Sequence, residues 1–376
     1  MPEIKRGRSA AIAFAVVLLA SACTAGASPT PSAAGGTPAA ATPTPPPAGS
    51  IAISGAGATF PFPLYSRWFY EYAFIDPSVK FNYQSIGSGG GIKQITARTV
   101  DFGASDAILN ADQYTAAPGI QMFPTVAGSE VIAYNVAELV GKTALIIDGP
   151  TLASIFLGKI SNWNDAALAA LNPGVTLPDK PIVVVHRSDG SGTTFIFTDY
   201  LSNISPDWKN TVGNSSSVQW PVGLGGKGNE GVSGTLGQTE GSIGYVELAY
   251  AVNNKLAYAK MVNASGATVK ATIAGTQSAM ADFGTDLPAT LSRSIVNGTG
   301  AASWPISGYT YLLLYMDQTD CTKAAKLAAF VNWALGADGS KFATDLLYAP
   351  LPDAVKTKVL ARIAQITCNG QPLPAN

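Results

Sequence analysis

The chain has 376 residues, with 23 Lys+Arg against 24 Asp+Glu for a formal charge of −1, and 12% charged against 47% hydrophobic residues. A nucleic-acid binder held by electrostatics needs a net basic surface, so that class is excluded, and a single His excludes a His-rich metal site. The 39 Gly and 25 Pro point to many turns between short elements, and at about 150 residues per domain the folded part should form two lobes.

Lys5, Arg6 and Arg8 precede an uncharged apolar run from Ala10 to Ala20, the order of a secretory signal. The run is too short to span a bilayer, which takes about 20 apolar residues. It ends in Leu19-Ala20-Ser21-Ala22-Cys23, which resembles a bacterial lipobox, although Ala20 stands where that pattern favours Leu. The resemblance implies that residues 1–22 are removed and that Cys23 is acylated, for example with palmitate. The alternative is an ordinary cleaved signal with an incidental cysteine. Thr24 to Ser50 holds no charge, no large apolar residue and seven prolines, so it cannot bury enough surface to fold. Residues 23–50 are therefore expected to form a lipid-anchored tether, reaching on the order of 80 Å if polyproline-like. Loss of Glu3, Lys5, Arg6 and Arg8 takes the formal charge from −1 to −3, so net charge does not draw a ligand in.

Beyond Ser50 short β-like runs alternate with helical ones, which predicts an α/β build. Ile51–Ser54 reads as a strand. Pro61 and Pro63 then mark a helix start, with Tyr65, Trp68, Phe69 and Tyr72 at core-facing spacing. Val79–Ile86 is the next strand, Ile92–Ala97 a helix after a glycine cluster, and Val100–Ala104 a third strand. Pro181–Val185 is a strongly apolar strand followed by a glycine turn and a helix with Phe197, Tyr200, Leu201 and Ile204 on one face. Ala324, Leu327, Ala328, Val331 and Trp333 make a late helix. Cys321 and Cys368 are an even pair in an exported chain, which predicts a disulfide over the alternative of two buried thiols.

The recurring unit is strand, Gly/Ser/Thr turn, helix. Such turns lie at the carboxyl edge of an open sheet, where ligands bind, and each helix start exposes N–H groups and a positive dipole end. Four segments become candidate walls: Gly55–Phe60, Gly87–Gly91, Gly103–Asp106 and Arg187–Thr193. Gly223–Gly228 matches G-x-G-x-x-G, but Asn229, Glu230 and Gly231 follow in place of an apolar helix and no Ser/Thr follows Lys227, so a structural glycine loop is expected rather than a nucleotide site. A hydrolase would pair Ser191 with His186, yet G-x-S-x-G is absent around Ser191, and a satisfied or solvent-facing His186 is the simpler reading.

Oxyanion capture fits better. Thr59, Ser88, Ser191, Gly192 and Thr193 supply donors, and Arg187 one formal positive charge. Asp106 would repel a bare anion, but it can accept the O–H of a ligand that keeps a proton. Phosphate keeps one near neutral pH and sulfate does not, so one acceptor among donors would act as a filter. Taken singly, Thr59, Ser88 and Ser191 could equally cap helices.

The stretches GAGATFPFPLY at 55–65, NYQSIGSGGGIKQI at 82–95, VDFGASDA at 100–107, LGKISNW at 157–163, RSDGSGTTFIFTDYL at 187–201, WPVGLGGKGNEGV at 220–232 and GSIGYVELAYA at 241–251 resemble the phosphate-binding proteins of bacterial phosphate-specific (Pst-type) ABC importers. The resemblance implies a type II periplasmic-binding-protein fold: two α/β lobes, each a mixed sheet flanked by helices, joined by crossover strands near Phe123–Glu130 and Trp304–Tyr309. Lobe I is expected over 51–127 and 306–376, and lobe II over 128–305. It further implies that Thr59, Phe60, Ser88, Asp106, Arg187, Ser191, Gly192 and Thr193 hold the ligand, with Asp189 orienting Arg187. The expected protein is a high-affinity, non-enzymatic receptor for inorganic phosphate, monomeric, without cofactor or metal. It would be lipid-anchored outside the cell membrane or in the periplasm, and would deliver phosphate to membrane permease subunits. The alternative is a secreted phosphohydrolase on the same scaffold.

Overall fold

The computed structural model describes residues 51–139 and 145–374. The expected signal segment, Cys23 and the expected tether over Thr24–Ser50 lie outside the described residues.

Ten strands form one mixed sheet: β1 (Ile51–Gly57), β2 (Val79–Ser85), β3 (Phe102–Ser105), β4 (Ile120–Asn135), β5 (Val183–Arg187), β6 (Leu224–Gly226), β7 (Ser242–Glu247), β8 (Ala257–Tyr258), β9 (Ser307–Tyr315) and β10 (Ala349–Pro350). Their order is β2-β1-β3-β9-β4-β7-β5-β6, with β8 and β10 also paired to β4. The sheet turns on β4, a 16-residue strand buried along nearly its whole length. From Ile120 to Ser129 it pairs antiparallel with β9, and from Glu130 to Asn135 with β7. One strand thus serves both lobes of the α/β architecture. The β4–β9 register slips at Thr310/Tyr311, opposite Pro124 and Val126. Pro124 has no N–H for the ladder, and a bulge absorbs the break.

Small residues in β1 let neighbours close in. A Cβ on Gly55 would lie 2.0 Å from the Phe102 ring, and one on Gly91 would lie 2.5 Å from Gly57 Cα. The second contact explains a departure from the sequence reading: helix α2 (Ser88–Thr96) begins at Ser88 rather than Ile92. Its bare glycine turn is what fits against β1. Helix α1 (Phe62–Ile75), with a proline in its first turn, buries Leu64, Tyr65, Trp68 and Tyr72, and Phe69 stacks on Phe81 at 4.7 Å between centroids. Helix α3 (Gly192–Ile204) buries Phe197, Tyr200 and Leu201.

β3 starts at Phe102 and β5 at Val183, each two residues later than expected. Before β3 the chain is held by Asp101, whose N–H bonds Ser54 O at 2.9 Å and whose carboxylate accepts from Ser54 N at 2.7 Å. The expected glycine loop at 223–228 is strand β6 leading into helix α4 (Gly228–Gln238).

Cys321, which opens helix α5 (Cys321–Ala334), is bonded to Cys368, with 5.4 Å between Cα atoms. The bond closes a loop between residues 47 apart in sequence. Replacing both cysteines with serine should lower unfolding free energy by about 4 kcal/mol in the chain-entropy model. Denaturant unfolding of the double variant checks this; a midpoint equal to that of the oxidised protein would reject it.

Candidate functional site

The four predicted walls meet in one place. Thr59, Phe60, Ser88, Asp106, Arg187, Ser191 and Thr193 are all buried. Gly192 belongs with them, because a Cβ there would lie 2.3 Å from Asp106 Oδ2 and 2.5 Å from Ser88 Oγ. The β2 and β3 turns therefore face the start of α3 across the cleft. The approach is backbone to backbone at its narrowest: Gly89 N donates to Gly190 O at 2.8 Å, and a Cβ on Gly87 would strike Asp189. Only glycines allow this contact.

Two helices begin at the site. Ser191 caps α3 by accepting from Thr194 N at 3.0 Å, and the first amides of such a helix have no partner within it. The same holds for α2, whose first residue is Ser88. Ser88 Oγ accepts from Asp106 N at 3.1 Å and donates to Asp106 Oδ2 at 3.4 Å. Ser88 and Ser191 thus make local structural bonds while lining the cleft, and a hydroxyl can accept and donate at once.

Arg187 carries the positive charge. Its Nε and Nη2 donate to Asp189 Oδ1 and Oδ2 at 2.8 and 2.6 Å, and its Nη1 to Thr193 Oγ1 at 3.1 Å. Asp189, which the family resemblance implies orients Arg187, makes this bidentate pair. Burial alone would raise its pKa, but Arg187 and the Gly228 N–H outweigh burial and hold it below the usual range. Three of the five guanidinium N–H bonds are used, leaving one on each terminal nitrogen.

Asp106 differs. Burial pushes its carboxyl up to about 7, with Thr310, Arg187 and Ser88 pulling the other way. Its Oδ1 is buried and has no hydrogen-bond partner among the described residues. A buried acceptor without a partner is costly unless something donates to it. Among the described residues no group of three or more His, Cys, Asp or Glu could hold a metal ion.

Sequence reasoning missed several neighbours. Asn229, fully buried at the start of α4, bonds both Thr59 and Thr193. Tyr250 OH donates to Thr59 O at 2.6 Å, and Tyr348 OH to Phe60 O at 2.7 Å. Glu130 and Glu247, both fully buried, face each other across β4 and β7. Burial raises both carboxyls, and nearby Asp106 adds to the effect. The polar run Gly228-Asn229-Glu230-Gly231 was the available signal for Asn229. The other residues are too remote in sequence to have been linked. His186 stacks on Trp220 at 4.7 Å, and burial lowers its pKa. Trp163 and Trp208 are core residues.

A strand-crossed α/β frame with helix starts converging on a buried cleft defines a two-lobed binding protein, and residues 31–338 match the family described as "PBP superfamily domain". The chain belongs to that superfamily and, within it, to the PstS family. It is 47% identical over 305 residues to the phosphate-binding protein PstS of Haemophilus influenzae, covering 80% of this chain and 89% of the relative. It is 46% identical over 297 residues to the protein of the same name from Xylella fastidiosa strain 9a5c, covering 79% and 80%. A crystal structure of a high-affinity periplasmic phosphate-binding protein, PfluDING with bound phosphate, shares the fold at a TM-score of 0.65 and 22% identity, covering 87% of this chain and all of that one.

Asp106 makes stability depend on pH. Its folded pKa of about 7 lies above its ordinary 3.8, so between those values the folded state binds more protons and stability falls as pH rises. From pH 5 to pH 8 the ligand-free wild type should lose up to about 3 kcal/mol more than Asp106→Asn. Because Asp106 also helps raise Glu130 and Glu247, the difference between the two proteins reads Asp106 together with its coupling to that acid pair. Parallel denaturation profiles for the two proteins would refute the assignment.

Proposed function

We propose that this chain captures inorganic phosphate, as hydrogenphosphate, between its lobes and delivers it to the membrane subunits of an ABC importer. The observation that carries the reading is the buried Asp106 carboxyl, an acceptor with Oδ1 unpaired and Oδ2 held by Ser88 at 3.4 Å, facing donors from Thr59, Phe60, Ser88, Arg187, Ser191, Gly192 and Thr193. A ligand with several charged oxygens and one O–H matches that set, and the names of the PstS relatives agree with it.

The lobes are assigned to 51–127 with 306–376 and to 128–305. The change of β4 from β9 to β7 at Ser129/Glu130 supports the first boundary. Residues 1–22 are assigned as a signal and Cys23 as the lipid anchor, which places the protein on the outer face of the membrane or in the periplasm. Among the described residues no helix is long and apolar enough to cross a membrane. A monomeric receptor without catalysis is the reading adopted. Supporting it, Ser191 Oγ is engaged as a helix cap, and the His186 ring is stacked on Trp220 with Nδ1 against Arg187 O at 3.0 Å.

Arg187→Ala should weaken phosphate binding at least about 100-fold, because it removes a desolvated cation and leaves Asp189 unpaired. Calorimetry on ligand-stripped protein reads this, and wild-type affinity would reject the role. Sulfate tests the acceptor. Above pH 7 an ionised Asp106 repels it; below, the neutral acid can donate to it. Sulfate affinity should therefore rise about tenfold from pH 8 to pH 6, following the protonated fraction. In Asp106→Asn sulfate binding should be flat over that range and the phosphate preference smaller. A wild-type sulfate affinity that is constant, or falls with acidification, would contradict the filter.

A further inference from the structure

We propose that Asn229 is a positioning residue that sets the direction of two hydroxyl protons, so that Thr59 and Thr193 can only donate into the cleft; the proposal rests on the phosphate reading above. Asn229 lies in the first turn of α4, fully buried. Its Nδ2 donates to Thr59 Oγ1 at 2.9 Å and to Thr193 Oγ1 at 3.0 Å. The orientation of the amide is fixed from behind, because Glu247 N donates to Asn229 Oδ1 at 3.0 Å. A backbone N–H cannot accept, so the oxygen must sit there and both amide N–H bonds must face the threonines.

Each hydroxyl then receives a second donor that is equally unable to accept. Thr59 Oγ1 takes the Asn229 backbone N–H at 3.1 Å, and Thr193 Oγ1 takes Arg187 Nη1 at 3.1 Å. A hydroxyl has two lone pairs and one proton. With both lone pairs filled, only the proton remains to be offered. The two threonines come from opposite walls of the cleft, and one amide polarises them together. A charged ligand oxygen therefore meets O–H donors and not lone pairs, which leaves Asp106 as the acceptor. Without the amide, each hydroxyl regains a free lone pair, and its proton can turn away from the ligand.

A double-mutant cycle separates orientation from mere packing. Inorganic phosphate is titrated by calorimetry into wild type, Asn229→Ala, Thr59→Val/Thr193→Val and the triple variant, with melting temperature recorded for each. Asn229→Ala should weaken phosphate binding about 30-fold in the wild-type background but no more than about threefold where there are no hydroxyls to orient. A packing role would carry the same loss into both backgrounds and overturn the proposal. Asn229→Asp keeps the shape should the alanine variant fail to fold. Its carboxylate accepts where the amide donated and turns both protons inward. The loss should exceed about 100-fold in the wild-type background and shrink to the charge-repulsion part alone in the valine background. Equal losses in the two backgrounds reject the proposal. If wild type itself binds no phosphate, the functional reading falls and this one with it; if wild type binds and the cycle is additive, only this one falls.

Discussion

Everything in the cleft depends on the difficulty of holding charge away from water. A desolvated ion costs several kcal/mol unless fixed dipoles or a partner replace its hydration. Buried Arg187 pairs with partly buried Asp189, so the formal charge they add together is zero. What remains for an anion is hydroxyls, amides and the unused face of the guanidinium. Three further acids, Asp106, Glu130 and Glu247, ring the same region, and burial raises each of them. Kept neutral, Glu130 and Glu247 can stand opposite one another at the point where β4 changes partner. Ionised together they would repel each other and any anionic ligand. In the proposed complex Asp106, its carboxyl pushed up to about 7 by burial, would share one proton with the ligand. The complex of neutral acid with dianion and that of carboxylate with monoanion hold the same number of protons, so the proton belongs to the pair.

How far the sequence anticipates this follows the range over which each signal acts. Local chemistry is legible: the helix at Pro61–Pro63, the glycine turns, and the candidate polar set Thr59, Ser88, Asp106, Arg187 and Ser191–Thr193 are read within a few residues, whereas the place of Asp189 beside Arg187 comes from the family resemblance. The α/β class is legible for the same reason, because apolar periodicity is local. The start of α2 is not, since a glycine run reads as a loop until β1 is seen pressed against Gly91. Nor is α4, whose polar first turn hides a helix that points inward. Tyr348 reaches Phe60 across 288 positions and Tyr250 reaches Thr59 across 191, and no spacing rule links residues so distant.

Those distant tyrosines explain how the first turn is aimed. Their hydroxyls donate to the carbonyls of Thr59 and Phe60. The described chain has no cis peptide, and in a trans unit C=O and N–H point in opposite directions. Holding the Thr59 carbonyl against Tyr250 therefore sends the Phe60 N–H the other way. Burial drives the hydroxyl pKa values of both tyrosines up, so they remain donors under any condition the protein meets. Tyr348 also bonds Glu247 Oε2 at 3.0 Å, which ties the turn to the buried acid pair.

Thr59 is consequently held from α4 and from Tyr250 through three hydrogen bonds, two to its hydroxyl and one to its carbonyl. These bonds cross between the segments assigned to the two lobes, as does Gly89 to Gly190. An anion bound to the Thr59 hydroxyl and the neighbouring amides uses the atoms that these bonds have already positioned. Opening the lobes would release the hydroxyl proton to rotate and the amides to rehydrate, so the open form must bind more weakly. A ligand that binds one arrangement better than another shifts the equilibrium towards it by that difference. On the proposed reading, closure and capture would draw on one set of hydrogen bonds, so that the closed shape would report an occupied cleft.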